Sequence, residues 1–313
     1  MNSKNRIVVL GGATLFCIAL ASTYTSINSK DTDPNFSTTT TLKKGVLPQM
    51  IKSVDLNKSF DFAGEAVPMK EFDAYERLDR ELTSNTYRHG NTSLNLKKAA
   101  RYFPIIEPIL AKEGVPDDLK YLAVAESDLS NATSPAGAKG FWQFMTATAK
   151  EYGLEVNKEV DERFHLEKST VAACRLLKNY YKQLGTWTLA AAAYNGGIGR
   201  IKKALDRQRA DNFYELNLNQ ETSRYVFRIV AIKEIMRHPT TFGYYFSEHD
   251  LYPSIGSCAT LEVDTAIENL GDFARKYGIS YRLLKKYNPW LLSDKLVNPN
   301  RRTYIFKIPS QTY

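Results

Sequence analysis

An apolar helix face that ends on a carboxylate constrains this chain more than any other stretch. Residues 119–145 read LKYLAVAESDLSNATSPAGAKGFWQFM. Leu119, Leu122, Ala123 and Glu126 fall at i, i+3, i+4 and i+7, one stripe of a 3.6-residue helix. Glu126 therefore stands where a core residue is expected. A carboxyl group withdrawn from water favours its neutral form, so its pKa rises, and an acid still protonated near neutral pH can donate that proton in catalysis. The plainer readings are that Glu126 turns out to solvent or pairs with a buried arginine, since structural ion pairs also perturb pKa values. The loop that follows, with Ser134, Gly137, Gly140 and Gln143, has the glycines of a turn where backbone comes close to something else.

The rest of the chain divides by composition. Lys4 and Arg6 precede an apolar run over 7–21 that ends Ala19-Leu20-Ala21, so residues 1–21 read as an export signal or an N-terminal anchor. Cys17 follows Phe16 rather than a small residue, which argues against a lipoprotein site. The run implies an exported chain of the periplasm or cell envelope, tethered to the membrane if it stays uncleaved. Residues 22–48, rich in Ser, Thr, Asp and Asn, read as a flexible linker.

A helical domain is expected over 49–239, with its motifs between 115 and 238. Met69, Phe72, Tyr75, Leu78 and Leu82 form a first stripe from near Pro68. A helix over 95–112 carries Pro104 and Pro108 as kinks or a restart and stops at Gly114. Pro116 opens the Glu126 helix, with Asp117 and Asp118 as start residues that suit the helix dipole. A short helix is expected over 144–152, and 154–166 is irregular and charged. The spacing then predicts a helix over 169–184 with Val171, Cys174, Leu177, Tyr181 and Leu184 inward. Ala190 to Ala193 permit close helix packing, and Tyr194-Asn195 meets Gly196-Gly197 at a helix end, as a cap or facing a cleft. A solvated basic helix over 198–207 follows, then a helix over 222–237 with Tyr225, Ile229, Ile232 and Met236 on one face. Residues 240–258 read as an aromatic linker packed on the first domain. Over 259–313 the period changes to strand, helix, helix, strand.

Net charge is +8, which favours anionic partners, yet no zinc finger or RNA-binding signature points to nucleic acid. Four histidines show no metal-ligand spacing, and no nucleophile elbow or phosphate loop occurs, so neither metal nor cofactor is expected. Once a signal is removed, Cys174 and Cys258 remain, too few for a disulfide scaffold, and their pairing is open.

Four motifs stand in order. Glu126-Ser127, then Ser134-Pro135-Ala136-Gly137-Ala138-Lys139-Gly140 with Trp142-Gln143-Phe144-Met145, resemble the first two motifs of the lytic transglycosylases with a goose-lysozyme-like fold. Ala192-Ala193-Tyr194-Asn195-Gly196-Gly197 resembles the third, and Glu221-Thr222-x-x-Tyr225-Val226 the fourth. The Trp before the Gln most resembles the membrane-bound lytic murein transglycosylase D branch. The resemblance covers about 65–238. It implies a mainly α, lysozyme-like catalytic domain acting on peptidoglycan glycan strands without a cofactor.

Glu126 would serve first as acid and then as base, with no second carboxylate needed. The resemblance implies that Ser127, Ser134, Gln143, Met145, Tyr194, Asn195 and Tyr225 form the substrate-binding set. Within it Ser127 would steady the loop, and Tyr225 would orient Glu126 or an N-acetyl group. Thr146 stands where many relatives have Pro. Phe273-Ala274, Tyr277-Gly278-Ile279, Leu283-Leu284, Asn288-Pro289 and Ile308-Pro309 resemble a LysM glycan-binding module, a small C-terminal βααβ unit, though the usual Gly-Asp-Thr is absent. Two alternatives stay open: a hydrolytic muramidase on the same fold, and a non-catalytic envelope glycan-binding protein.

Overall fold

The computed structural model describes residues 51–255 and 258–309. The expected export signal at 1–21, with Cys17, and the linker at 22–48 lie outside them.

Two short strands come first, β1 (Asp61–Phe62) and β2 (Glu65–Ala66), paired antiparallel across a turn in which Ala63 and Gly64 take positive φ. Eight helices follow: α1 (Phe72–Thr86), α2 (His89–Glu113), α3 (Lys120–Ser127), α4 (Thr146–Glu151), α5 (Leu166–Leu184), α6 (Trp187–Gly196), α7 (Ile198–Gln208) and α8 (Gln220–Arg237). The C-terminal module is β3 (Cys258–Val263), α9 (Leu270–Lys276), α10 (Tyr281–Tyr287) and β4 (Tyr304–Pro309). Its strands pair antiparallel from Cys258–Pro309 to Val263–Tyr304, which closes the expected βααβ unit. The mainly α class with a small α/β module is what the periodicity implied. Cys174 is a buried free thiol and Cys258 a half-buried one. Among the described residues no helix is long and apolar enough to cross a membrane.

α8 runs through the middle of the helical core, against α1, α3 and α6. Tyr225, Val226, Phe227, Ile229, Val230, Ala231, Ile232 and Ile235 are all buried, so the helix is covered on nearly every side rather than on the one face expected. The run of apolar residues in its sequence is the signature of a helix buried all round. Asn219 caps it by accepting from Thr222 N at 3.0 Å. The alanines of α6 are wholly buried, as their size suggests. Glu65 reaches the start of α6 and accepts from Trp187 N (2.5 Å) and Thr188 N (2.9 Å), satisfying donors that a helix start leaves unpaired.

Three expectations need correction. α1 begins at Phe72, which is 79% exposed, and Tyr75 is exposed as well. Its buried face is Ala74, Arg77, Leu78, Glu81 and Leu82. Polar residues count as inward here because α8 supplies partners: Arg77 donates to Ser223 O at 2.6 Å, and Arg224 and Arg228 pair with Glu81. α2 is one continuous helix through Pro104 and Pro108, with no restart. On α5, Tyr181 is exposed and stacks on Trp187, while Ala172, Ala173 and Leu176 turn inward beside Cys174 and Leu177.

Asp118 is more than a helix-start residue. It is buried and accepts from Lys233 Nζ (2.6 Å), Arg237 Nη2 (3.1 Å) and Ala63 N (2.8 Å). Lys233 also donates to Asp61 Oδ1 at 2.9 Å, so a charge cluster centred on the buried Asp118 and Lys233 fastens the β1–β2 turn to α8.

The segment expected to be irregular, 154–166, does the docking. Val160 sits in the C-terminal module's own core with Trp290, Leu291 and Phe306. Asp161 N donates to Trp290 O (2.9 Å) and Leu292 N to Glu159 O (2.7 Å). Lys307 pairs with Glu167, and the Glu167 carboxyl also meets His165 Nδ1 at 3.2 Å. Burial pushes the Glu167 carboxyl up, but the contacts from His165 and Lys307 hold it down at about 2.

Candidate active site

Glu126 stands in the last turn of α3. The helix stops after Ser127 because Asp128 takes a left-handed conformation (φ 50°), and Leu129 takes a second one (φ 49°). Asp tolerates that region better than most residues, but a bulky apolar one such as Leu129 does not, and such strain collects at functional sites. Asp128 is held in place by Asn91 Nδ2 (3.1 Å) and Asn95 Nδ2 (2.8 Å) on its carboxylate and by Lys98 Nζ (2.7 Å) on its carbonyl.

The Glu126 side chain is half-buried, and Tyr225 OH donates to its Oε1 at 2.5 Å. Burial pushes its pKa from 4.5 to about 7 against the pull of that hydrogen bond. Glu221 and Arg228 act in opposite senses, the carboxylate adding to the rise and the guanidinium opposing it. Both stand on α8 with Tyr225, at i, i+4 and i+7, and pair with each other at 2.9 Å. Burial likewise holds the phenols of Tyr194 and Tyr225 well above their usual range, and the Glu126 charge adds to both. At neutral pH the site therefore holds an acid with a pKa of about 7 hydrogen-bonded to the Tyr225 phenol, and both that phenol and Tyr194's stay protonated.

The loop beyond is locked from beneath. Lys139 and Phe144 exchange backbone hydrogen bonds at 3.1 Å, and Gly140 N donates to Ala132 O at 2.9 Å. Gly140 has φ 82°, and a Cβ there would lie 1.9 Å from Arg163 O, so only glycine fits. Arg163 is buried in a two-pronged pair with Asp161 (2.8 and 2.7 Å), and its Nη1 donates to Gly137 O (3.2 Å) and Phe144 O (3.1 Å). Trp142 is wholly buried and donates to Thr170 Oγ1 at 2.9 Å.

Most of the substrate-binding set expected from the resemblance turns out to hold this loop. Ser127 Oγ donates to Phe141 O (2.9 Å) and to Ala123 O (3.0 Å), in keeping with a loop-steadying role. Ser134 Oγ accepts from Ala138 N at 3.0 Å. Gln143, in a left-handed conformation, donates from Nε2 to Gly140 O (2.7 Å) and Ala132 O (3.1 Å). Tyr194 OH donates to Trp142 O at 2.6 Å, and Asn195 Oδ1 accepts from Thr222 Oγ1 at 3.0 Å. Met145 is 47% exposed beside the loop. Of this set, Tyr225 is the one whose side chain hydrogen-bonds to the Glu126 carboxyl. The sequence reading missed the Asp161–Arg163 clamp and the Glu221–Arg228 pair; spacing hinted at the second, while nothing local marks the first. Among the described residues no group of three His, Cys, Asp or Glu is arranged to hold a metal ion.

Residues 103–217 match the family model described as transglycosylase SLT domain. The chain carries an SLT domain. Residues 259–312 match the soluble lytic transglycosylase C-terminal LysM-like domain. The membrane-bound lytic murein transglycosylase D of Escherichia coli, in two strains, is 31% identical over 219 residues, 68% of this chain and 47% of the relative. The chain thus spans about half the length of the curated relatives it matches. The crystal structure of a 70 kDa soluble lytic transglycosylase from Escherichia coli aligns with TM-score 0.40 and 19% identity, over 56% of this chain and 33% of that one. The matched SLT region contains Glu126 and its loop, and Tyr225 lies just beyond it on α8.

Proposed function

We propose that this chain is a lytic transglycosylase that cuts peptidoglycan between MurNAc and GlcNAc. The observation that carries the reading is Glu126: half-buried, near half-ionisation at neutral pH, and hydrogen-bonded to a neutral phenol rather than clamped by a cation. Protonated Glu126 donates to the glycosidic oxygen. The resulting carboxylate then takes the proton of the MurNAc C6 hydroxyl, which closes on C1 to leave a 1,6-anhydro end. Water enters neither step.

Most glycosidases use two carboxylates across the bond. Here Asp128 is tied to the amides of α2 and Glu221 to Arg228, which leaves Glu126 alone for both proton transfers. Tyr225 holds Glu126 in place, Gln143, Met145, Tyr194 and Asn195 shape the glycan cleft, and Ser127 and Ser134 keep its loop rigid. The chain acts in the cell envelope, reached through the export signal at 1–21, and the LysM-like module would add contact with the same polymer.

Mass spectrometry of sacculus digests tests this. Wild type is expected to release ends lighter by one water than reducing ends. Glu126→Gln is expected to fold and bind glycan with its rate down by about 10²–10⁴. Reducing ends from the wild type would make the protein a hydrolase, and unimpaired cutting by Glu126→Gln would remove the acid assignment.

A further inference from the structure

Three local disadvantages meet in the turn that follows Glu126. Leu129 holds a left-handed conformation (φ 49°) with its side chain buried, a placement that an apolar residue adopts only under constraint. Asn95 gives its Nδ2 to the Asp128 carboxylate at 2.8 Å and leaves its own buried Oδ1 without a protein partner, which is unfavourable for a polar atom out of water. Lys98 points its ammonium at a neutral acceptor, the Asp128 carbonyl, at 2.7 Å. Each of these makes sense if the tie between Asp128 and α2 is what the fold retains them for.

α3 has only 8 residues, too few to hold its own last turn firmly. Ser127 fastens that turn to the loop beneath through Phe141 O (2.9 Å). Asp128 fastens it sideways to α2 through Asn91 (3.1 Å) and Asn95. Glu126 is carried on the same turn and meets the Tyr225 hydroxyl of α8 at 2.5 Å. A drift of about 1 Å at the helix end would break that contact and misplace the carboxyl. We propose that Asp128 is a positioning residue: anchored on α2, it fixes the end of α3 so that the Glu126 carboxyl faces the Tyr225 hydroxyl. In this role it takes no proton and touches no substrate. Its effect on rate rests on the acid assignment above, whereas the alignment of Glu126 with Tyr225 can be read without turnover.

Carbon-13 NMR of labelled glutamate carboxyls follows the Glu126 titration directly. Tyr225→Phe is expected to raise the Glu126 pKa by roughly one unit in the otherwise wild-type chain, the worth of one hydrogen bond. In Asp128→Gly, where glycine keeps the left-handed turn and drops the anchor, the same change is expected to move it by less than ~0.3 unit, because the bond is already lost. A full shift in both backgrounds overturns the proposal. Kinetics give a second reading. Asp128→Gly is expected to lower kcat roughly tenfold to a hundredfold with KM within about twofold. Adding Tyr225→Phe should then lower kcat by less than the product of the two separate losses. Asp128→Asn keeps an acceptor for α2 and tolerates the turn, so its kcat should stay within about threefold of wild type. Independent losses in the double variant, or a fall in Asp128→Asn equal to that in Asp128→Gly, overturn the positioning role. Should the glycine variant fail to fold, Asn91→Ala with Lys98→Met loosens the same tie from the α2 side and is expected to repeat its result; full coupling to Tyr225 in that variant counts against the proposal. If Glu126→Gln stays active, the acid assignment falls, and the NMR comparison still decides the alignment.

Discussion

The burial of Glu126 was legible because a charged residue sat on an apolar stripe, a conflict of the kind that marks a candidate site. The physical price is an ionised form the fold disfavours. Its acid is lost as pH rises, so kcat/KM should fall about tenfold per unit above pH 7, the position read from a pH–rate profile. Tyr225→Phe removes the hydrogen bond that lowers the Glu126 pKa, so the falling limb should move to higher pH while the rate drops roughly tenfold to a hundredfold.

Stability follows the same sign. The folded pKa, about 7, lies above the unfolded 4.5, so the stability tied to protonated Glu126 is whole below pH 4.5 and lost as pH climbs through 7. Glu126→Gln stays neutral throughout. It should match wild type at pH 4 and exceed it at pH 8 by about 1–3 kcal/mol, as read from urea unfolding at the two pH values. The roles of Ser127, Ser134, Gln143, Tyr194 and Asn195 were less legible. Motif position marks a residue as near the cleft without telling whether its polar atoms face the ligand or the loop beneath, and here those atoms bond to the protein.

The helices were legible where period and stop signals agreed. Gly114 and Gly185 end α2 and α5 in left-handed conformations at the places their sequence positions implied. Inward faces were less so. On α1 the periodic stripe placed Leu78 and Leu82 inward, as they are, but also Phe72 and Tyr75, which are exposed, while the buried face carries Arg77 and Glu81, whose partners lie nearly 150 residues away on α8. No local pattern reveals a salt bridge across that separation. Asp118 failed to stand out for the same reason: its negative charge suits a helix start, and only the fold brings Lys233 to it. Lys233→Met would leave Asp118 buried with less compensation and should cost about 3 kcal/mol, measurable as a lower urea midpoint with an unchanged slope. The β1–β2 turn should then exchange its amide hydrogens faster, since Lys233 also holds Asp61.

The order of helices and the βααβ module were legible from alternation and period alone. The way the two cores meet was not, because 154–166 has no periodicity and its apolar residues are few. Val160 belongs to the module's core although it precedes that module by about a hundred residues. Val160→Ala should therefore cost about 1–3 kcal/mol and shift the melting signals of both parts together, as calorimetry of the full chain would record in one transition.

The same few residues also grip the loop beside Glu126. Asp161 takes its backbone partner from Trp290 of the module, and two positions on Arg163 grips the carbonyls of Gly137 and Phe144. The module and the loop beside Glu126 are thus geared through one short hydrogen-bonded linkage rather than joined by slack chain. A load on the C-terminal end, such as tension in a captured polymer, would be felt within a few bonds by the groups around the acid.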